Sequence, residues 1–227
     1  MIKRVISLIV VLLMGYVLYQ LYADWQPNSA LSGVARDYVQ REPQELGAVN
    51  VVTAIVVTYR GLDTLGEVSV LFLAATGVAV LLRRREKKRA RRDYRAASEI
   101  LTTGTALLTP FIVMFGAYIF INGHLSPGGG FQGGAVIASA VLLLFLAYPD
   151  YRLKHNVLNA LESVSGAGYV LVGILGIILA GGFLDNRILP LGEYGKILSA
   201  GAIPIIYTFI GLKVGTELAG ILENLKE

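Results

Sequence analysis

Cysteine is absent from all 227 positions. Disulfides, thiolate zinc sites and iron–sulfur ligation within the chain are therefore excluded, and any redox centre of those kinds belongs to other chains. Charge is scarce: 16% of residues are charged against 55% hydrophobic, with a mean hydropathy of +0.62. That balance places the chain among membrane proteins before any motif is read. Histidine occurs only twice, as His124 and His155. No internal repeat is visible, which weighs against a complete transporter built from inverted repeats.

What the chain has instead is apolar runs. Six are long enough to span a bilayer, near residues 5–23, 62–82, 100–121, 133–149, 164–184 and 197–220, and little remains between them to build a soluble core. The first follows Lys3 and Arg4 as a signal peptide would, but its run over 5–21 exceeds a typical signal core and no small-residue cleavage pattern follows. A retained helix is expected. The fold class is an all-α integral membrane protein of about six helices, multi-pass in a prokaryotic cell membrane.

The net charge of +4 hides a strong asymmetry. Residues 83–95 hold nine Lys or Arg against Glu86 and Asp93, a local +7, so the remainder sums to −3. A basic run against a membrane helix is first a topology signal, with anionic lipid attraction second, rather than a nucleic-acid site. With this linker in the cytoplasm, Lys3, Arg4, Arg152, Lys154 and Lys226 also fall inside, and Arg36, Arg41, Arg60, Arg187 and Lys196 outside. Both termini are then cytoplasmic. The composition shift divides the chain into a two-helix unit over 1–82, the basic linker over 83–98, and a four-helix unit over 99–227. In the long outer segment, 24–45 reads as loop. The Val-rich 46–58 is too short to span and is expected to be re-entrant or interfacial, packed against the other helices.

Few residues are left to carry chemistry. Glu67 is a lone carboxylate in the second span, about 8 Å past Leu62 at helical rise. A charge at that depth is expensive, and it serves either a hydrogen-bonded pairing or a proton or sodium relay. Asp63, four residues earlier on the same face, sits where a carboxylate caps a helix N-terminus. Lys213 and Glu217 form a second i,i+4 pair in the last span, unless Lys213 snorkels to the cytoplasmic interface. Lys213 lies about 16 Å deeper than Glu67 by helical rise, so the two are separate stations and not a salt bridge.

Between the third and fourth spans lies Gly123-His124-Leu-Ser-Pro127-Gly128-Gly129-Gly130-Phe-Gln-Gly-Gly134. Its glycines permit tight turns and close approach, and it leads into a helix N-terminus. It is no phosphate-binding loop, because the Lys-Ser/Thr ending and preceding strand are missing. His124 suits either a proton shuttle or a hydrogen bond holding the loop. His155 falls in a basic loop with no role. Pro110 and Pro204 are expected to kink their helices.

Two of these stretches match one known system. Asn50-Val-Val-Thr-Ala-Ile-Val-Val-Thr-Tyr-Arg-Gly-Leu-Asp63-Thr-Leu-Gly-Glu67 resembles the C-terminal part of the large A subunit of Mrp (multiple resistance and pH) cation/proton antiporters. The glycine-rich stretch is similar to the signature of their B subunit. In the antiporters these regions belong to separate chains, the first ending a far longer one. In archaeal membrane-bound hydrogenases and sulfane reductase complexes they occur as small subunits of a sodium-translocating module, and a short chain with both looks more like that setting. The resemblance implies an ion-path role for Glu67 and maps the family histidine and triple glycine onto His124 and Gly128 to Gly130. Family members commonly carry Asn-Ala where this chain has Leu125-Ser126.

The expectation is a non-catalytic subunit, with no cofactor of its own and Na+ or H+ as the transported ions. Its partners would be other Mrp-like membrane subunits, with or without a peripheral redox arm, and membrane lipid. A dedicated antiporter subunit and a structural adaptor between membrane subunits are the alternatives. A stand-alone transporter fits less well, given the missing repeat.

Overall fold

The computed structural model describes residues 2–24, 31, 33–83 and 97–226. Among these the chain is helical without strands: α1 (Ile2–Asp24), α2 (Gly33–Glu45), α3 (Val51–Ala54), a π-helical turn (Ile55–Tyr59), α4 (Gly61–Arg83), α5 (Glu99–Ile121), α6 (Gly130–Ala147), α7 (His155–Ala180), a 3₁₀ turn (Asn186–Ile188) and α8 (Ile203–Lys226). Six of them, α1 and α4 to α8, are long and apolar enough to cross a membrane. The protein is a multi-pass membrane protein. Residues 84–96, with eight of the linker's nine cations, lie outside the described residues.

The chain divides into two compact units, residues 1–37 and 38–227. The first holds α1, an apolar helix whose Gln20 Nε2 donates to the Tyr16 hydroxyl at 2.6 Å. The second holds α4 to α8, organised around α8, which packs against α4, α5, α6 and α7. Its buried residues Ile203, Ile206, Tyr207, Ile210 and Val214 form the centre of the core. Close approach to α6 depends on glycine. A Cβ on Gly134 would come within 2.8 Å of the Gly211 carbonyl oxygen, and one on Gly133 within 2.6 Å of that of Gly116 in α5. Small residues let helix backbones meet at this range inside a membrane, where lipid offers no hydrophobic force to drive association.

Hydropathy located the spans better than the helix ends. Helix α7 begins at His155, not near 164, because its first turns carry Asn159 and Glu162 as helical residues that face a cavity instead of lipid. Helix α8 begins at Ile203, six residues later than the apolar run. Ala200 and Gly201 before it take positive φ, 62° and 57°, and turn the chain. Pro204 therefore stands in the first turn of α8, where its missing N–H costs nothing and no kink is needed. Pro110 does lie inside α5. Helix α6 starts at Gly130, so the triple glycine runs straight into it.

The expected loop over 24–45 is corrected in its second half, which forms α2. Residues 35–42 are mostly good helix formers, and Pro43 falls only in the last turn. Residues 46–58 are neither strand nor span. They run into α3 and the π-helical turn, with Leu46, Ala48, Ala54 and Val57 buried against the other helices.

Candidate functional site

The two motif-bearing stretches meet at one end of the bundle. Asn50 Nδ2 donates to the carbonyl oxygens of Gly123 (2.9 Å) and Ser126 (3.0 Å), and its backbone N–H donates to that of His124 (3.0 Å). Thr53 Oγ1 donates to the Gly123 carbonyl at 2.6 Å and accepts from the Tyr207 hydroxyl at 3.2 Å. The glycine-rich loop is thus held by side chains from the 46–58 segment. Asn50 also caps α3, its Oδ1 accepting from the Thr53 N–H at 3.4 Å. Gly130 has no room for a side chain, since a Cβ there would meet Ile210 at 2.5 Å.

His124 is completely buried in this loop, with Nε2 3.4 Å from the Lys196 carbonyl oxygen. Burial pushes its pKa below the ordinary histidine value, against the raising effect of nearby backbone carbonyls at 196, 197 and 121. The ring is therefore neutral near pH 7, a state suited to fixing the loop and poorly suited to carrying a resting charge. In the turn that follows α7, Asn186 Nδ2 donates to the carbonyl oxygens of Leu46 (2.9 Å) and Ala200 (2.8 Å). A cavity of about 340 Å³ lies beside this turn, lined by Glu45, Tyr59, Asp185 and Arg187. Hydrogen bonds from Arg187 hold the Asp185 carboxyl below the usual carboxylate range.

Asp63 and Glu67 are both exposed on α4, as their spacing requires. Asp63 lies in the first turn, but its carboxylate pairs with Arg60 (Nη2–Oδ2, 2.6 Å) instead of capping the helix. Glu67 makes no ion pair or hydrogen bond with another described residue, although its charge acts on Tyr169, buried on α7. It is six residues past Gly61, about 9 Å into the helix. Nothing brings it together with His124.

Lys213 is the hub of the other polar group. Its Nζ is 2.6 Å from Glu217 Oε1 and 3.6 Å from Glu162 Oε1, and it stands 4.9 Å from the centroid of the Phe72 ring. The side chain is 13% exposed, so it is enclosed by α4, α7 and α8 and does not reach for the interface. Phe72 is five residues beyond Glu67, about 7.5 Å at helical rise. The expected offset of about 16 Å between Glu67 and Lys213 is thus roughly halved, because α8 starts late. The two still form no bridge, since Lys213 is committed to Glu217 and Glu162.

Sequence reading missed Glu162, Glu223 and the role of His155. Glu162 went unnoticed because it precedes the apolar run of α7, although Glu162, Gly166 and Tyr169 share one helical face. Glu223 is buried, its Oε1 accepting from the Leu153 N–H at 3.0 Å and its Oε2 3.9 Å from His155 Nδ1. Lys226 Nζ donates to the Tyr151 carbonyl at 2.6 Å. His155 thus opens α7 at a contact with the end of α8 and is not an isolated loop residue.

Comparison with known proteins finds two family models that match the chain. The family model for a domain related to the MnhB subunit of the Na+/H+ antiporter matches residues 100–220, and the model for the E subunit of MBH matches residues 2–103. A chain of the archaeal membrane-bound sulfane sulfur reductase, a respiratory membrane complex, is 48% identical. It superposes with a TM-score of 0.83 over 99% of this chain and 98% of that one. A chain of the Mrp complex from Dietzia sp. DQ12-45-1b is 25% identical with a TM-score of 0.75; the match covers 98% of this chain but 26% of that one. The B subunit of the Na(+)/H(+) antiporter of Bacillus subtilis is 40% identical over 79 residues, which is 34% of this chain and 54% of that protein. On these grounds the chain belongs to the family of domains related to the MnhB subunit of the Na+/H+ antiporter.

Proposed function

We propose that this chain is a non-catalytic membrane subunit of a multi-subunit sodium/proton-translocating module within a membrane-bound respiratory complex of the sulfane reductase or hydrogenase type. Glu67, with Asp63 beside it, is a station in the ion path, and Lys213 with Glu217 is a second station deeper along α4 and α8. The observation that carries the reading is the placement of Glu67. A carboxylate 9 Å or so into a membrane helix, without an ion partner among the described residues, is tolerated where another subunit or a wet path covers it. The near full-length likeness to a sulfane reductase chain supports the respiratory setting.

In the same reading, residues 1–82 and 99–227 are two functional parts joined by the basic linker, a division supported by the family matches meeting near residue 100. The linker and both termini face the cytoplasm of a prokaryotic cell, with partner membrane subunits on the exposed faces and redox chemistry in other chains. A dedicated antiporter subunit is the second reading, favoured by the Dietzia Mrp match over 98% of this chain. Neighbouring genes for hydrogenase-like or iron–sulfur subunits would select the first, and an antiporter set alone the second.

The direct test is Glu67→Gln in the assembled complex reconstituted into liposomes. Sodium-dependent ion transport should be lost while the subunit composition is unchanged. Normal transport by the variant would remove Glu67 from the path and leave the structural adaptor.

A further inference from the structure

Lys213 is one cation shared by two carboxylates. Glu217 at 2.6 Å and Glu162 at 3.6 Å bracket it, leaving the group with one surplus negative charge when all three are ionised. The Glu217 side chain is 1% exposed, and its Oε2 has no hydrogen-bonding partner. A buried, unpaired carboxylate oxygen is costly unless water or an ion reaches it.

A space for one exists. Glu217 and Glu162 are wall residues of a cavity of about 240 Å³ between α4, α7 and α8. The rest of its polar lining is oxygen-rich: Thr216 and Asn159 beside the carboxylates, Glu223 and Asn224 further along. Helix α4 contributes only Phe72, Ala75, Thr76 and Ala79, so no charge from that side competes. From Glu217 to Glu223 is six residues of α8, about 9 Å. The rim is formed by His155, whose side chain is 71% exposed, opposite Glu223. A polar cavity of this size holds several waters, and oxygen ligands with a surplus negative charge suit a hard cation.

We propose that this cavity is an aqueous inlet, entered past His155 and Glu223, that brings a monovalent cation to the Glu162–Glu217 pair in competition with Lys213. The cation is an alkali metal ion or a hydronium ion; both answer to the same chemistry. The inlet deepens the ion-path reading, on which its place in transport rests, but its occupancy is measured without transport.

The absence of cysteine gives the test. In the otherwise cysteine-free chain, assembled in its membrane, Thr216→Cys and Thr76→Cys place a single thiol inside the cavity from α8 and α4. Val164→Cys places one on the outward face of α7 as a control. Each is exposed to membrane-impermeant methanethiosulfonates, one cationic (trimethylammonium-ethyl) and one anionic (sulfonato-ethyl), whose rate ratio cancels thiol ionisation. Both cavity thiols should react while Val164→Cys does not, with the cationic reagent favoured about tenfold by the focused negative potential. Glu162→Gln should bring that ratio towards one, and Glu223→Gln should lower it as an independent second variant. At fixed pH, replacing choline by sodium should reduce the ratio if an alkali ion is the ligand. At fixed sodium, a fall in pH alone should reduce it if the ligand is a proton. Unreactive cavity thiols overturn the inlet. A ratio near one, insensitive to both sodium and pH, overturns the cation site. Neither result touches the outcome for Glu67→Gln, so the two readings fail separately.

Discussion

Lys213 shows how one residue governs the electrostatics of three helices. It partners Glu217 on its own helix and Glu162 on α7, and it lies over the Phe72 ring of α4. Removing one member of a buried ion pair costs about 3–5 kcal/mol because a desolvated charge is left behind. Lys213→Met should therefore lower the thermal unfolding midpoint of the purified complex markedly, and Lys213→Met with Glu217→Gln should recover most of the loss. Equal destabilisation by the single and double variants would mean that Lys213 acts through packing alone. The pair itself was legible from the i,i+4 spacing of positions 213 and 217. Glu162 was not, because a tertiary contact between α7 and α8 leaves no periodic trace in either helix. The same limit applied to Asp63: its helix position could be read, but its pairing with Arg60 depends on how the chain breaks between the π-helical turn and α4.

At the scale of elements, the 46–58 segment acts as a clamp. Its length excluded a span, and its apolar character required packing against the other helices. What composition could not reveal is that Asn50 and Thr53 supply the hydrogen bonds that hold the glycine-rich loop. Those residues lie about seventy positions or more from their acceptors, and neither hydrophobicity nor turn chemistry encodes so distant a pairing. Asn50→Ala removes two side-chain bonds to the loop and the cap of α3, each worth about 1 kcal/mol. Amide hydrogen exchange over residues 122–126 should accelerate by about tenfold or more, while exchange in the middle of α8 stays unchanged. Unaltered loop exchange would show that burial alone holds the loop.

For the whole molecule, hydropathy counted six spans correctly, while helix ends shifted wherever polar residues continued a helix or positive-φ residues interrupted an apolar run. Charge then argues the orientation: counted span by span, Arg152, Lys154 and Lys226 fall on the same side as the basic linker, as the positive-inside rule requires. Reporter fusions should therefore place both termini on the cytoplasmic side, with a glycosylatable or periplasmic-active reporter functioning when inserted between α7 and α8 and silent when fused to either terminus. Opposite sides for the two termini would contradict the even number of spans.

The clamp has a consequence for stoichiometry. Hydrogen bonds from Asn50 and Thr53 to the loop after α5 would constitute a subunit interface if the two motif-bearing parts were separate polypeptides. Joined in one chain, they meet at the raised effective concentration that a covalent connection provides. Assembly of this pair then no longer depends on expression levels or subunit exchange, and every module built with the chain contains the two parts in a fixed one-to-one ratio.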